Sequence, residues 1–151
     1  TEIDPRRGRL LQGELHDENS WALGGATGHT GLFGTGPAVG SFARRVLQAL
    51  EYGKAPGLDG ARLREFLVRS DVPGSSRALG WDTMLPTSSC GSRISTAAFG
   101  HTGFTGTSLW IDPVRRIYVV LLTNRVHPTR GHNAMVAVRP ALHDAVFGEL
   151  Q

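Results

Sequence analysis

An α+β fold is what the sequence predicts: a small antiparallel sheet of about three strands and a C-terminal helix, preceded by a helical subregion. Three observations carry it. Residues of about 97–104, 107–112 and 116–124 are rich in β-branched and aromatic side chains and are divided by turn formers, among them Asp112-Pro113-Val114-Arg115. Val39, Phe42, Ala43, Val46, Leu47 and Leu50 recur at helical spacing. A last run, from about Asn133 to Phe147, has helical composition, with Pro140 predicting a kink or a break.

Taken in order, residues 1–36 are Gly-rich and aperiodic, and are predicted to be mostly loop. Thr35 is placed to cap a helix with Pro37 in its first turn and Gly53 after its end. Asp59 caps a second helix with Leu63, Phe66 and Leu67 inward, closed by Asp71-Val72-Pro73-Gly74. Residues 73–96 form a long polar, Ser-rich segment with a short strand expected at Leu79-Gly80-Trp81. The chain therefore divides into a helical part, 1–75, and a sheet-plus-helix part, 76–151.

Composition excludes several classes of function. A chain of 151 residues with 40% hydrophobic content can bury one domain's core. The 16 basic and 13 acidic residues leave +3, and all but one of the basic residues are Arg. They are scattered, apart from Arg6-Arg7-Gly8-Arg9, and form no stripe with interleaved aromatics, so nucleic acid is not the expected partner. No apolar run is long enough for a membrane helix. The single cysteine, Cys90, excludes an internal disulfide and leaves the compartment open, periplasmic or extracellular as well as cytoplasmic. His16, His29, His101, His127, His132 and His143 show no His-Glu-x-x-His spacing, and no Cys-x-x-Cys exists, so no metal is expected.

The polar tripeptide His101-Thr102-Gly103 interrupts strand-forming sequence, where packing alone favours apolar or alternating residues. A Gly within a strand weakens it and marks a place where something approaches the backbone closely. This strand is expected to line a cleft. A second His-Thr-Gly, at His29-Thr30-Gly31, has no strand pattern around it and reads as a structural turn before the helix. His16-Asp17 has the residue types of an oriented imidazole, but adjacent side chains rarely face each other, and loop hydrogen bonding is the favoured reading.

Phe99-Gly100-His101-Thr102-Gly103-Phe104 through Asp112-Pro113, with the strand Ile117 to Arg125 behind it, resembles the third motif of the serine β-lactamase and penicillin-binding protein superfamily. That motif is Lys-Thr-Gly in many members and His-Thr-Gly in some peptidases and esterases. Gly13 to Gly25 and Gly28 to Thr35 resemble the region before a helix in the class C-like branch, which includes DD-peptidases and esterases. The resemblance implies part of a β-lactamase/transpeptidase-like fold from a bacterial serine hydrolase. Such an enzyme acts on a small-molecule or peptide ester or amide through an acyl-enzyme and needs no cofactor. It further implies that His101, Thr102 and Gly103 hold substrate and that the Phe104 N–H is an oxyanion donor. Asn124 and Arg125 would lie near a substrate carboxylate, and His16 and Asp17 would line the cleft.

The nucleophile's motif is missing. Ser-x-x-Lys places a base one helical turn from the serine. The chain's only lysine is Lys54, and residue 51 is Glu51. Tyr-x-Asn is absent as well. The expectation is therefore the C-terminal part of a hydrolase, inactive alone. The exposed edge of its sheet would be covered by the N-terminal part of the fold or by self-association. The alternative is a non-catalytic binding or structural module of the same fold.

Overall fold

The computed structural model describes residues 1–150. A two-strand ribbon, β1 (Ile3–Asp4) and β2 (Arg9–Leu10), precedes a short helix, α1 (Glu18–Ala22), and the long helix α2 (Gly36–Tyr52). A second ribbon, β3 (Lys54–Ala55) and β4 (Leu58–Asp59), leads into α3 (Gly60–Phe66). The main sheet comprises β5 (Asp82–Thr83), β6 (Phe99–Thr102), β7 (Ser108–Asp112) and β8 (Ile117–Leu121), antiparallel in that order, and α4 (Met135–Glu149) closes the chain.

Local chemistry explains the helices. The Thr35 hydroxyl accepts from Ala38 N–H at the start of α2, Pro37 lies in the first turn, and Gly53 ends the helix in the left-handed region at φ 81°. Asp59 caps α3 by accepting from Arg62 N–H at 2.8 Å. α3 stops at Phe66, earlier than the Asp71-Val72-Pro73-Gly74 sequence predicts. Leu63 and Leu67 face the core as expected, while Phe66 is exposed.

Two apolar layers sandwich the sheet. Ala43 and Val46 of α2 pack with Phe99 and Ile111 on one face, joined by Leu109, Tyr118 and Trp81. On the other face Trp110 packs with Cys90, Ile94, Ala98 and Phe147 of α4. The alternation of Leu109 and Ile111 against Trp110 follows from the two-residue period of a strand. Burial pushes the Cys90 thiol up to about 12, which leaves it unreactive.

The sheet differs from the sequence expectation in three places. A fourth strand, β5, pairs with β6 through Asp82↔Gly100 and Thr83↔Phe99. Leu79-Gly80-Trp81 is the turn that feeds it rather than a strand, with Ala78 N–H donating to the Trp81 carbonyl at 2.9 Å. β6 stops at Thr102 and β8 at Leu121, so Asn124 and Arg125 lie beyond the strand end. β8 is an outer strand with β7 as its one neighbour.

α4 runs unbroken through Pro140, and starts and ends two residues later than the composition suggests. Its first turn is already irregular, with Val136 N–H bonded to the Asn133 carbonyl at 3.2 Å. Burial of Met135, His143 and Phe147 holds the segments on both sides of the proline. The first 36 residues carry β1, β2 and α1, more structure than a loop reading predicts. Strands of two residues have no detectable period, and β1 depends on a distant bond from Ile3 N–H to the Pro128 carbonyl at 3.0 Å.

Candidate active-site cleft

Two adjoining clefts, of about 490 and 850 Å³, open where the end of β6 meets the loops before α2. His101, Thr102, Gly103, Thr105 and Thr107 form one wall of both. His16, Thr30, Gly31 and Leu32 form the other. The two His-Thr-Gly tripeptides thus face a common space, and residues 29–31, expected as a purely structural turn, line the larger cleft.

The loop after β6 is held by all of its carbonyls. Gly103 O accepts from Gly106 N–H at 3.1 Å and from Arg139 Nη2 at 2.8 Å. Phe104 O accepts from Arg125 Nε at 2.6 Å, and Thr105 O from Arg125 N–H at 2.9 Å. Gly106 O takes the Thr123 hydroxyl at 2.6 Å. Thr107 O takes Gly103 N–H at 2.7 Å and Arg139 Nη2 at 3.0 Å. The N–H groups of Phe104 and Thr105, by contrast, have no acceptor among the described residues. The turn thus has its carbonyls pinned while two of its N–H groups stay free, an arrangement with the chemistry to receive developing negative charge.

Gly103 serves this turn in a way the sequence does not reveal. A close approach was expected there, and the approaching group is the chain's own Thr107: a β-carbon on Gly103 would fall within bonding-forbidden range of Thr107 Oγ1. Gly103→Ala is expected to destabilise the fold by about 1–3 kcal/mol through overpacking. The Gly103→Ala/Thr107→Gly pair should regain most of that loss in thermal unfolding.

Phe104 is itself exposed, and its ring is fixed from several sides. The His16 imidazole stacks on it at 5.7 Å between centroids. Arg125 lies over it at 4.3 Å and Arg130 at 5.8 Å. Behind these groups is Glu2, 1% exposed, which accepts from Arg130 N–H at 3.0 Å, from Arg130 Nη2 at 2.6 Å and from His16 Nε2 at 2.7 Å. The hydrogen bonds from Arg130 hold the Glu2 carboxyl at about 2, below its ordinary value of 4.5, against the opposing effect of burial. Arg130 also pairs with Glu18 at 2.7 Å.

His16 and Asp17 do not form a dyad. His16 bonds Glu2, while Asp17 caps α1 by accepting from Ser20 N–H at 2.8 Å, a bond that lowers its carboxyl. Asp17 also lies 3.4 Å from His29 Nε2, and Ser20 Oγ lies 3.2 Å from that same nitrogen. A relay needs the two partners on opposite ring nitrogens and an accessible hydroxyl. Ser20 is fully buried, so this Ser-His-Asp grouping is a structural clasp.

Asn124 and Arg125 are both engaged internally. Asn124 donates to the Thr1 carbonyl at 3.0 Å, and Arg125 spends its guanidinium on Phe104 O and on the carbonyls of Arg130 and His132. Arg125 therefore shapes the donor loop from behind. Glu2, Arg130 and Arg139 were not visible as site residues in the sequence, because each acts over a long chain separation, 128 residues for Glu2 and Arg130. Among the described residues no cluster of His, Cys, Asp or Glu could hold a metal, and no helix is long and apolar enough to cross a membrane.

Known proteins resemble this chain over most of its length. The sequence is 35% identical over 151 residues to a protein of Salmonella agona that bears the name of a D-alanyl-D-alanine carboxypeptidase, matching 94% of this chain. A Salmonella typhi protein of the same name matches to the same degree. The chain spans about a third (34%) of the length of these curated relatives. Among solved structures, a β-lactamase from Mycobacterium bovis superposes with a TM-score of 0.60 at 22% identity, covering 76% of this chain and 44% of that one, and so shares its fold. A sequence model of the β-lactamase family matches residues 2–141, nearly the whole chain, and the protein described here belongs to that family.

Proposed function

We propose that these residues are the C-terminal part of a serine hydrolase of the D-alanyl-D-alanine carboxypeptidase kind, acting on an ester or amide through an acyl-enzyme. The observation that carries the reading is the loop 103–107, whose five carbonyls are all bonded while the Phe104 N–H stays free beside the cleft. In this mechanism a serine from outside these residues attacks the scissile carbonyl, and the Phe104 N–H receives the oxygen as it becomes negative. One such donor contributes about a hundred- to thousand-fold in rate. The Thr102 hydroxyl, which has no bonding partner among the described residues, is free to orient the substrate. Proton transfer falls to Lys and Tyr groups of the kind found in Ser-x-x-Lys and Tyr-x-Asn, neither of which the sequence contains. The same reading assigns the open edge of β8 to the preceding part of the fold.

The test is turnover of an N-acyl-D-alanyl-D-alanine peptide and of p-nitrophenyl acetate by the full-length protein and by residues 1–151 alone. The full-length protein is expected to release D-alanine or p-nitrophenol, and the shorter chain neither. A full-length protein that hydrolyses neither compound and lacks Ser-x-x-Lys would instead be a binding module.

A further inference from the structure

The Gly103 carbonyl and the Phe104 N–H belong to one peptide unit, and a trans peptide points them in opposite directions. The carbonyl is bound from behind by Arg139 Nη2 at 2.8 Å, and the same nitrogen reaches the Thr107 carbonyl at 3.0 Å. The N–H on the other side has no acceptor among the described residues, and Phe104 lines the larger cleft. One guanidinium is therefore in series with the donor assigned to the reaction.

Arg139 does little else. Among the described residues its side chain makes no further hydrogen bond, its Nε is buried without a partner, and no carboxylate pairs with it. Burial and the charge of Arg125 both pull its pKa below the ordinary value. A loop that needed only a tether could take one from a neutral donor, without burying an unpaired charge. α4 holds the charge in this place. Arg139, His143 and Phe147 recur every four residues on the face that meets the sheet. His143 and Phe147 are fully buried, and His143 Nε2 lies 3.5 Å from Ser108 Oγ at the start of β7. Arg125, the other guanidinium at this loop, divides its bonds among the carbonyls of Phe104, Arg130 and His132.

We infer that Arg139 is a positioning residue for the Phe104 N–H. Its charge, bonded to the carbonyl of the same peptide, fixes the plane of that peptide and draws electron density from the N–H, which becomes a stronger donor to an oxyanion. Arg139 lines neither cleft and acts only through the peptide. Its part in catalysis rests on the hydrolase reading above; the polarised peptide does not.

Two measurements on the full-length protein test this. The first is hydrogen exchange of the Phe104 amide, followed by NMR. Base removes the amide proton and leaves negative charge on the Gly103 oxygen, where Arg139 stabilises it. Arg139→Gln should slow that exchange by about tenfold, the scale of a charge-assisted hydrogen bond replaced by a neutral one. Because one nitrogen makes both bonds, an ammonium can stand in for it, and Arg139→Lys should slow exchange by less than about threefold. Loss of a mere tether would leave exchange unchanged or make it faster. The second measurement is turnover of p-nitrophenyl acetate. Arg139→Gln should lower kcat by about tenfold, part of what the whole donor contributes, with KM within about twofold of the parent. In a Phe104→Pro background it should lower kcat no further, since the N–H it acts through is gone. Exchange that is unchanged or faster in Arg139→Gln overturns the inference. So does an Arg139→Lys variant as slow to exchange as Arg139→Gln, or an equal kcat loss with and without the Phe104 N–H. A full-length protein that shows the slowed exchange yet hydrolyses nothing would retire the hydrolase reading and leave the polarised peptide standing.

Discussion

Phe104→Pro, made in the full-length protein, is expected to lower kcat for ester hydrolysis by about a hundred- to thousand-fold, the contribution of a single oxyanion donor. Proline removes the one N–H that the account assigns to the reaction. Phe104→Ala is the necessary companion. It keeps that N–H but deletes the ring held by His16, Arg125 and Arg130. The alanine variant should lose much less turnover, because Arg139 and Arg125 still pin the carbonyls of the loop. Steady-state kinetics with p-nitrophenyl acetate separates the two. Equal losses in both variants would assign the effect to the ring, and the donor reading would fail.

Glu2→Gln is expected to destabilise the fold by about 2–4 kcal/mol, since it leaves Arg130 without its buried partner and weakens the bond to His16. The effect has a pH signature. The Glu2 carboxyl is held at about 2 in the fold, against an ordinary value of 4.5. A depressed carboxyl stabilises the fold fully above its unfolded value, and that contribution is lost as pH falls from about 4.5 toward about 2. The parent should therefore lose stability across that window by more than Glu2→Gln does. Urea unfolding at several pH values measures both slopes. Parallel slopes would show that these contacts do not lower the Glu2 carboxyl in the fold.

What the sequence disclosed of this fold is what local chemistry decides. Thr35, Pro37 and Gly53 bound α2, and Asp59 starts α3, because caps act within one turn of the chain. The three longer strands, β6 to β8, were legible from composition and from the turn at Asp112, whose carboxylate accepts from Val114 and Arg115 N–H at 3.0 and 3.1 Å. The two-residue strands were not, since they exist through pairing rather than propensity.

The cleft wall at His101-Thr102-Gly103 was legible as a polar interruption of a strand. Its partners were hidden by chain distance. Arg77 is 24 residues from His101, Arg139 is 36 from Gly103, and Glu2 is 128 from Arg130. Chain proximity misled in the other direction at His16-Asp17, where neighbouring side chains serve separate networks. Sequence also left His29-Thr30-Gly31 as a turn, although the fold brings it to the same space as its twin.

The most direct measurement is intact-mass spectrometry and peptide mapping of the full-length protein after incubation with a penicillin. One stoichiometric acyl adduct is expected on a serine outside residues 1–151, lost on denaturing hydrolysis and reduced in yield by Phe104→Pro. An adduct on a serine within these residues, such as Ser20 or Ser108, would contradict it, because the nucleophile would then lie in the part of the fold assigned here to the cleft wall and the oxyanion donor.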